Sequence, residues 1–185
     1  MLEPVKKEAT YEDIYSLPEN MVGEIIDGEL YAMPRPSFKH SNVATGLAEI
    51  RIPYQYGRGG PGGWIILIEP EIQLGKSILV PDLAGWKKER LPHPPETNWT
   101  MVVPDWVCEI ISPRSIRIDR VKKMNIYSSY AVPYVWLVDP LAEILEVFRF
   151  ENGRWSLILT ADGDNKVQAE PFHEIEINLK NLWWK

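Results

Sequence analysis

The stretch DWVCEIISPRSIRIDRVKKM, residues 105–124, constrains the fold more than any other part of the chain. Trp106, Val107, Cys108, Ile110 and Ile111 have the apolar, β-favouring character of a core strand, and Ser112-Pro113 ends it. Glu109 lies inside that run. An ionised carboxylate buried there without a partner costs several kcal/mol or more. The chain therefore has to bring a cation to the middle of a core strand, and that cation comes from another segment.

A chain of 185 residues with 45% hydrophobic and 25% charged residues can bury a real core without disulfide staples, and one domain over residues 1–185 is expected. Cys108 is the sole cysteine, which excludes an internal disulfide or a cysteine metal cluster. No charged segment followed by an apolar run opens the sequence, and the longest apolar runs are too short to span a bilayer. The expectation is a cytoplasmic protein without a membrane partner. The formal charge of −6 argues against a protein that coats nucleic acid, though not against an enzyme whose basic residues line one cleft. Lys87, Lys88 and Arg90 make one basic group, and Arg114, Arg117, Arg120, Lys122 and Lys123 a larger one.

Thr10 and Asp13 form a capping-box pattern for a short helix through about Leu17, closed by Pro18. VGEIIDGELYAM then reads as a β-hairpin over an Asp27-Gly28 turn. Val43, Leu47 and Ile50 give helical spacing from Phe38 to about Ile52, with Pro53 closing that helix. GRGGPGG, residues 57–63, is a loop. Two strands, WIILIEPEIQL and ILVPDLAGW, are joined by the turn GKS, and a proline-rich segment separates them from the Glu109 strand. A helix from about Ser115 to Tyr130, a strand PYVWLVD and a hairpin over Asn152-Gly153 follow. The order describes an α+β domain with a mixed sheet.

GKS at 75–77 is not a P-loop: the first glycine of that motif would fall on Pro70, and strand continues where a helix should begin. His40, His93 and His173 lack zinc spacing; His40, just after the first hairpin, could come near Glu24 but reads first as a capping or surface residue. The carboxylates carry more information. Asp82 ends the apolar run ILVPD, Glu109 sits in the next core strand, and Glu24 lies within GEII. Acids that meet on one sheet face repel unless a cation lies between them, and oxygen-only ligands suit Mg²⁺ or Mn²⁺.

VPDLAG followed by CEIISP resembles the PD-(D/E)XK nuclease superfamily, whose signature is an aspartate ending one strand and Glu-x-Lys on the next. More narrowly, GEIIDGELYAMPRPSFKH, VPDLAG and CEIISP, followed by Asp119, Lys123, Tyr127, Val132-Pro133, Trp136 and Asp139-Pro140, resemble the bacterial putative restriction endonuclease domain family, over roughly Thr10 to Phe150. The resemblance implies a restriction endonuclease-like mixed central sheet flanked by helices, cleavage of DNA phosphodiester bonds with Mg²⁺ or Mn²⁺, and a homodimer. On this reading Asp82 and Glu109 hold the metal, Glu24 adds a third ligand or positions the attacking water, and a lysine stabilises the transition state. The alternatives are a catalytically silent nucleic-acid-binding or regulatory domain on the same fold, and an interaction module whose acids are surface residues.

The chain departs from the pattern at Ile111, which occupies the position of the superfamily lysine two residues beyond Glu109. A displaced lysine is then required. Asp119, Lys123 and Tyr127 stand at i, i+4 and i+8, and the helix carrying them is expected to bury Val121, Met124 and Tyr127. Lys123 is thus the expected cation at Glu109, with Lys122 pointing about 100° away around the helix. Replacing Lys123 is expected to cripple cleavage and leave folding nearly intact. The competing reading makes Asp119 and Lys123 an exposed ion pair worth about 0.3–0.5 kcal/mol.

Overall fold

The computed structural model describes residues 8–184. The Thr10 capping box forms: the Asp13 carboxylate accepts from the Thr10 backbone N–H at 2.7 Å and opens α1 (Tyr11–Tyr15). β1 (Met21–Ile26) and β2 (Glu29–Pro34) make the first hairpin, with Asp27 and Gly28 both at positive φ as a type I′ turn requires. α2 (Phe38–Leu47) starts on the Ser37 hydroxyl, and one 3₁₀ turn carries it into α3 (Arg51–Tyr54). Pro53 therefore does not close the helix at Ile52. It sits in the first turn after the 3₁₀ break, where a missing N–H costs little.

The two strands expected between Trp64 and Trp86 are four. β3 (Trp64–Ile68) and β4 (Glu71–Leu74) part at Glu69, whose φ is positive, and at Pro70. β5 (Ser77–Leu79) and β6 (Leu83–Lys87) part around Pro81, and Gly75-Lys76 turns the β4–β5 hairpin. Each break sends the chain from one sheet to the other. With β7 (Trp99–Thr100), the smaller sheet has the order β2-β1-β5-β4-β7.

β8 (Trp106–Ile110), β9 (Tyr134–Asp139), β10 (Ile144–Glu151) and β11 (Arg154–Asp162) complete the larger sheet, ordered β11-β10-β9-β8-β6-β3. It is mixed, because β8 and β9 run parallel while the remaining pairs are antiparallel. The second hairpin turns at Asn152-Gly153 as the sequence suggests. β12 (Lys166–Val167) and β13 (Ile177–Asn178) form a small ribbon.

Alternation along β8 divides the core. Trp106, Cys108 and Ile110 pack with Val43 and Leu47 of α2 and with Phe172, whereas Val107 and Ile111 pack with Met124, Tyr127 and the smaller sheet. Glu109 shares the second face. Across it runs the helix that includes a π-helical stretch, Ile118–Lys123, and α4 (Met124–Ser129). Met124 and Tyr127 are buried as expected, but Val121 is 52% exposed. Val121 lies half a turn from both Asp119 and Lys123, so turning those two inward turns it out. Among the described residues no helix is long and apolar enough to cross a membrane.

Candidate active site

Four carboxylates and one ammonium meet where the two sheets and this helix converge. Glu24 arrives on β1, Asp82 immediately before β6, Glu109 on β8, and Asp119 and Lys123 on the π-helical stretch. The break at Pro81 leaves the Val80 N–H outside any ladder, and Glu24 Oε1 accepts it at 2.7 Å. The register Leu83↔Cys108 puts Asp82 beside Glu109 at the end of the ladder, and Asp82 Oδ2 accepts the Ile110 N–H at 2.6 Å. Ile111, on the Glu109 face, is packed among apolar groups.

Lys123 stands between the acids. Its Nζ is 2.8 Å from Glu24 Oε1, 3.1 Å from Glu109 Oε2 and 3.6 Å from Asp119 Oδ1, and its side chain is 3% exposed. The Asp119–Lys123 pair is therefore buried, and the exposed ion-pair reading does not hold. Burial opposes the Lys123 charge, but Glu109, Glu24 and Asp119 together hold its pKa well above the usual lysine value. Glu109 is pushed well up by burial, with Lys123 acting against the shift. Asp119 is raised by burial too, again opposed by Lys123. The Tyr127 hydroxyl donates to Glu109 Oε1 at 2.5 Å, and burial and that carboxylate push its own pKa well up.

His40 reaches Asp82 rather than Glu24, with Nε2 2.5 Å from Oδ1. Burial lowers its pKa, but the Asp82 contact outweighs this and the net shift is upward. Nothing local in the sequence marks this contact, because His40 and Asp82 belong to elements joined only by tertiary packing. Lys122 lies on the far side of Lys123, over the Tyr31 ring at 4.8 Å and bonded to its hydroxyl.

Glu24, His40, Asp82, Glu109, Asp119 and Lys123 line a cleft of about 650 Å³, with the exposed Arg35 and Arg114 also on its wall. The donor set is all oxygen and carboxylates outnumber cations, which suits a hard divalent ion. Glu24 Oε2, buried with no hydrogen-bond partner, is a further acceptor to spare. Among the described residues, however, no three carboxylate or imidazole side chains are grouped to hold one ion, and the Lys123 ammonium bridges Glu24 and Glu109. Asp82 and Glu109 are neighbours at the open end of the ladder, Asp82 contacted by His40 and the Ile110 N–H, Glu109 by Lys123 and the Tyr127 hydroxyl.

The Uma2 family model, described as "Putative restriction endonuclease", matches residues 9–180. A solved structure described as a putative nuclease belonging to DUF820, from Anabaena variabilis ATCC 29413, superposes with a TM-score of 0.74 at 23% identity, covering 95% of this chain and 97% of that one. That likeness establishes a shared fold. No curated protein matches the chain.

Proposed function

The chain belongs to the Uma2 family, described as putative restriction endonucleases, and from that premise we propose that it hydrolyses phosphodiester bonds in DNA with the help of a divalent cation. The observation that carries this reading is the Lys123 ammonium, fixed between Glu24 and Glu109 beside Asp82 in an open cleft. Mg²⁺ or Mn²⁺ would be held by Asp82 and Glu109 and, when bound, supplies Lewis acidity at the scissile phosphate. The chain's own residues prepare the rest. The Ile110 N–H and His40 orient the Asp82 carboxylate, and the Tyr127 hydroxyl orients Glu109. Lys123, kept charged by its three acids, is a donor rather than a general base. Its longest contact, to Asp119, is the one that yields most easily, freeing an N–H for charge developing on the phosphoryl oxygens. Arg35 and Arg114 on the cleft wall offer positive charge to flanking phosphates.

The silent-domain alternative draws on the same geometry, since a lysine engaged by three carboxylates can be purely structural. One experiment separates the two. Plasmid and linear DNA are incubated with Mn²⁺, with Mg²⁺ or with EDTA, using wild type, Asp82→Asn and Glu109→Gln. The proposal expects cleavage only with the metals and a loss of several orders of magnitude in both variants. Equal cutting by variants and wild type, or metal-independent cutting, rejects it. A wild type that cuts no DNA under any of these conditions supports the silent domain. A cytoplasmic location and a homodimer remain part of the proposal, and the dimer is read by sedimentation of the purified protein.

A further inference from the structure

The larger sheet has a second basic end, away from the cleft. α2 and α3 pass over the sheet from β8 to β3, crossing β6 between them: His40 is tied to Asp82 just before β6, and the Lys88 ammonium is 3.4 Å from the Gln55 carbonyl oxygen just after it. From His40 to Arg51 is roughly 16 Å at 1.5 Å per helical residue. From Asp82 to Lys87 is also roughly 16 Å at 3.3 Å per strand residue. The two rulers agree.

At that far end Arg51 and Arg58 meet at Tyr56, Lys88 reaches the neighbouring Gln55 and Lys87 lies over the Trp64 ring, and among the described residues none of them forms an ion pair with a carboxylate. The nearby acids are mostly engaged. Asp105 is taken by Arg90 at 2.6 Å and by the Lys87 N–H at 2.9 Å, and Glu174, which senses Lys87, is bonded by the Tyr54 hydroxyl. Glu89 is the remaining carboxylate of this stretch. Two guanidiniums share one aromatic ring: Arg51 lies 5.4 Å and Arg58 5.9 Å from the centroid of Tyr56, which is itself 53% exposed. Arg51 also donates to the Tyr56 hydroxyl at 2.7 Å and to Gln55 Oε1 at 3.3 Å. Gln55 Oε1 in turn accepts the Ile66 N–H at 2.9 Å, which fixes the patch to β3. Because the arginines already cover the Tyr56 ring, the surface is built for phosphate oxygens rather than for stacking a base.

We infer that this surface, formed by Arg51 and Arg58 at Tyr56 with Lys88 at Gln55 and Lys87 behind them, grips the DNA backbone about 16 Å from the cleft. It rests on the reading of DNA as substrate and adds a second contact to it. At 3.4 Å per base pair this distance spans about five base pairs, so one duplex reaches both places. Contacts of this kind fix register and orientation without reading sequence.

The test measures binding of a labelled duplex by fluorescence anisotropy in EDTA across a salt series, on two unrelated sequences. Each lost phosphate contact lowers the slope of log K against log salt by about 0.9, so Arg58→Gln with Lys88→Gln should lower it by roughly two, equally for both sequences. Arg154→Gln with Lys166→Gln removes the same charge elsewhere and should leave the slope unchanged. Unchanged slope in the first variant, in a wild type that binds DNA, overturns the patch and leaves the proposed function standing. An equal drop in both variants also overturns it, since net charge would then be the cause. A wild type that binds neither duplex overturns the DNA reading together with this inference.

Discussion

Replacing Lys123 by Met keeps most of the stem and deletes the charge. Glu24 and Glu109 then lose a cation at 2.8 and 3.1 Å, and Asp119 loses one at 3.6 Å, all inside the protein. Removing one partner of a buried ion pair costs about 3–5 kcal/mol, a large share of the roughly 5–15 kcal/mol that holds a domain folded. Taking an m-value of about 2 kcal/mol/M, the urea midpoint should fall by roughly 1.5–2.5 M. With Lys123 buried among three carboxylates, a folding cost is expected where the sequence alone suggested folding nearly intact. The pH dependence supplies a second readout in EDTA. Burial already raises Glu109 and Asp119, and Lys123 is the chief influence opposing both shifts. Without it the folded variant holds protons that the unfolded chain releases. A carboxylate with a folded pKa above its unfolded value contributes stability present below the unfolded value and lost as pH rises through the folded one. The variant should therefore lose stability as pH climbs above the usual carboxylate range. A midpoint within about 0.5 M of wild type at neutral pH refutes the reasoning, because the acids would then be tolerated without their cation.

Tyr127→Phe removes the donor to Glu109 Oε1 and leaves a buried carboxylate short of a bond; a loss of about 1–3 kcal/mol is expected in urea unfolding. Val121→Ser should change stability by no more than about 0.5 kcal/mol, whereas Met124→Ala on the buried face should cost about 2–5 kcal/mol, and similar values for the two would contradict the helix orientation. Trp136→Ala should cost about 3–5 kcal/mol by thermal or urea unfolding, because the ring is fully buried and packs edge-on against Trp106 and Phe172.

Much of the local structure was legible because its causes span only a few residues. Asp27-Gly28 and Asn152-Gly153 specify their turns through the positive φ that those residues tolerate, and the Thr10–Asp13 capping box needs one helical turn. Glu109 announced its need for a cation by its apolar neighbours, and the spacing of Asp119, Lys123 and Tyr127 named the helix side that could supply one. That side faces inward only after the helix has packed, so the sequence left open whether Asp119–Lys123 was exposed and placed Val121 on the wrong face. The breaks at Pro70 and Pro81 were visible as prolines, yet which half joins which sheet depends on pairing β5 with β1 and β6 with β8 across long separations. The same long-range packing brings His40 onto Asp82 and Glu24 onto Lys123. Backbone dihedrals and side-chain periodicity are properties of a short segment, whereas the meeting of distant charges is settled only when burial selects one arrangement of the sheets and the helix.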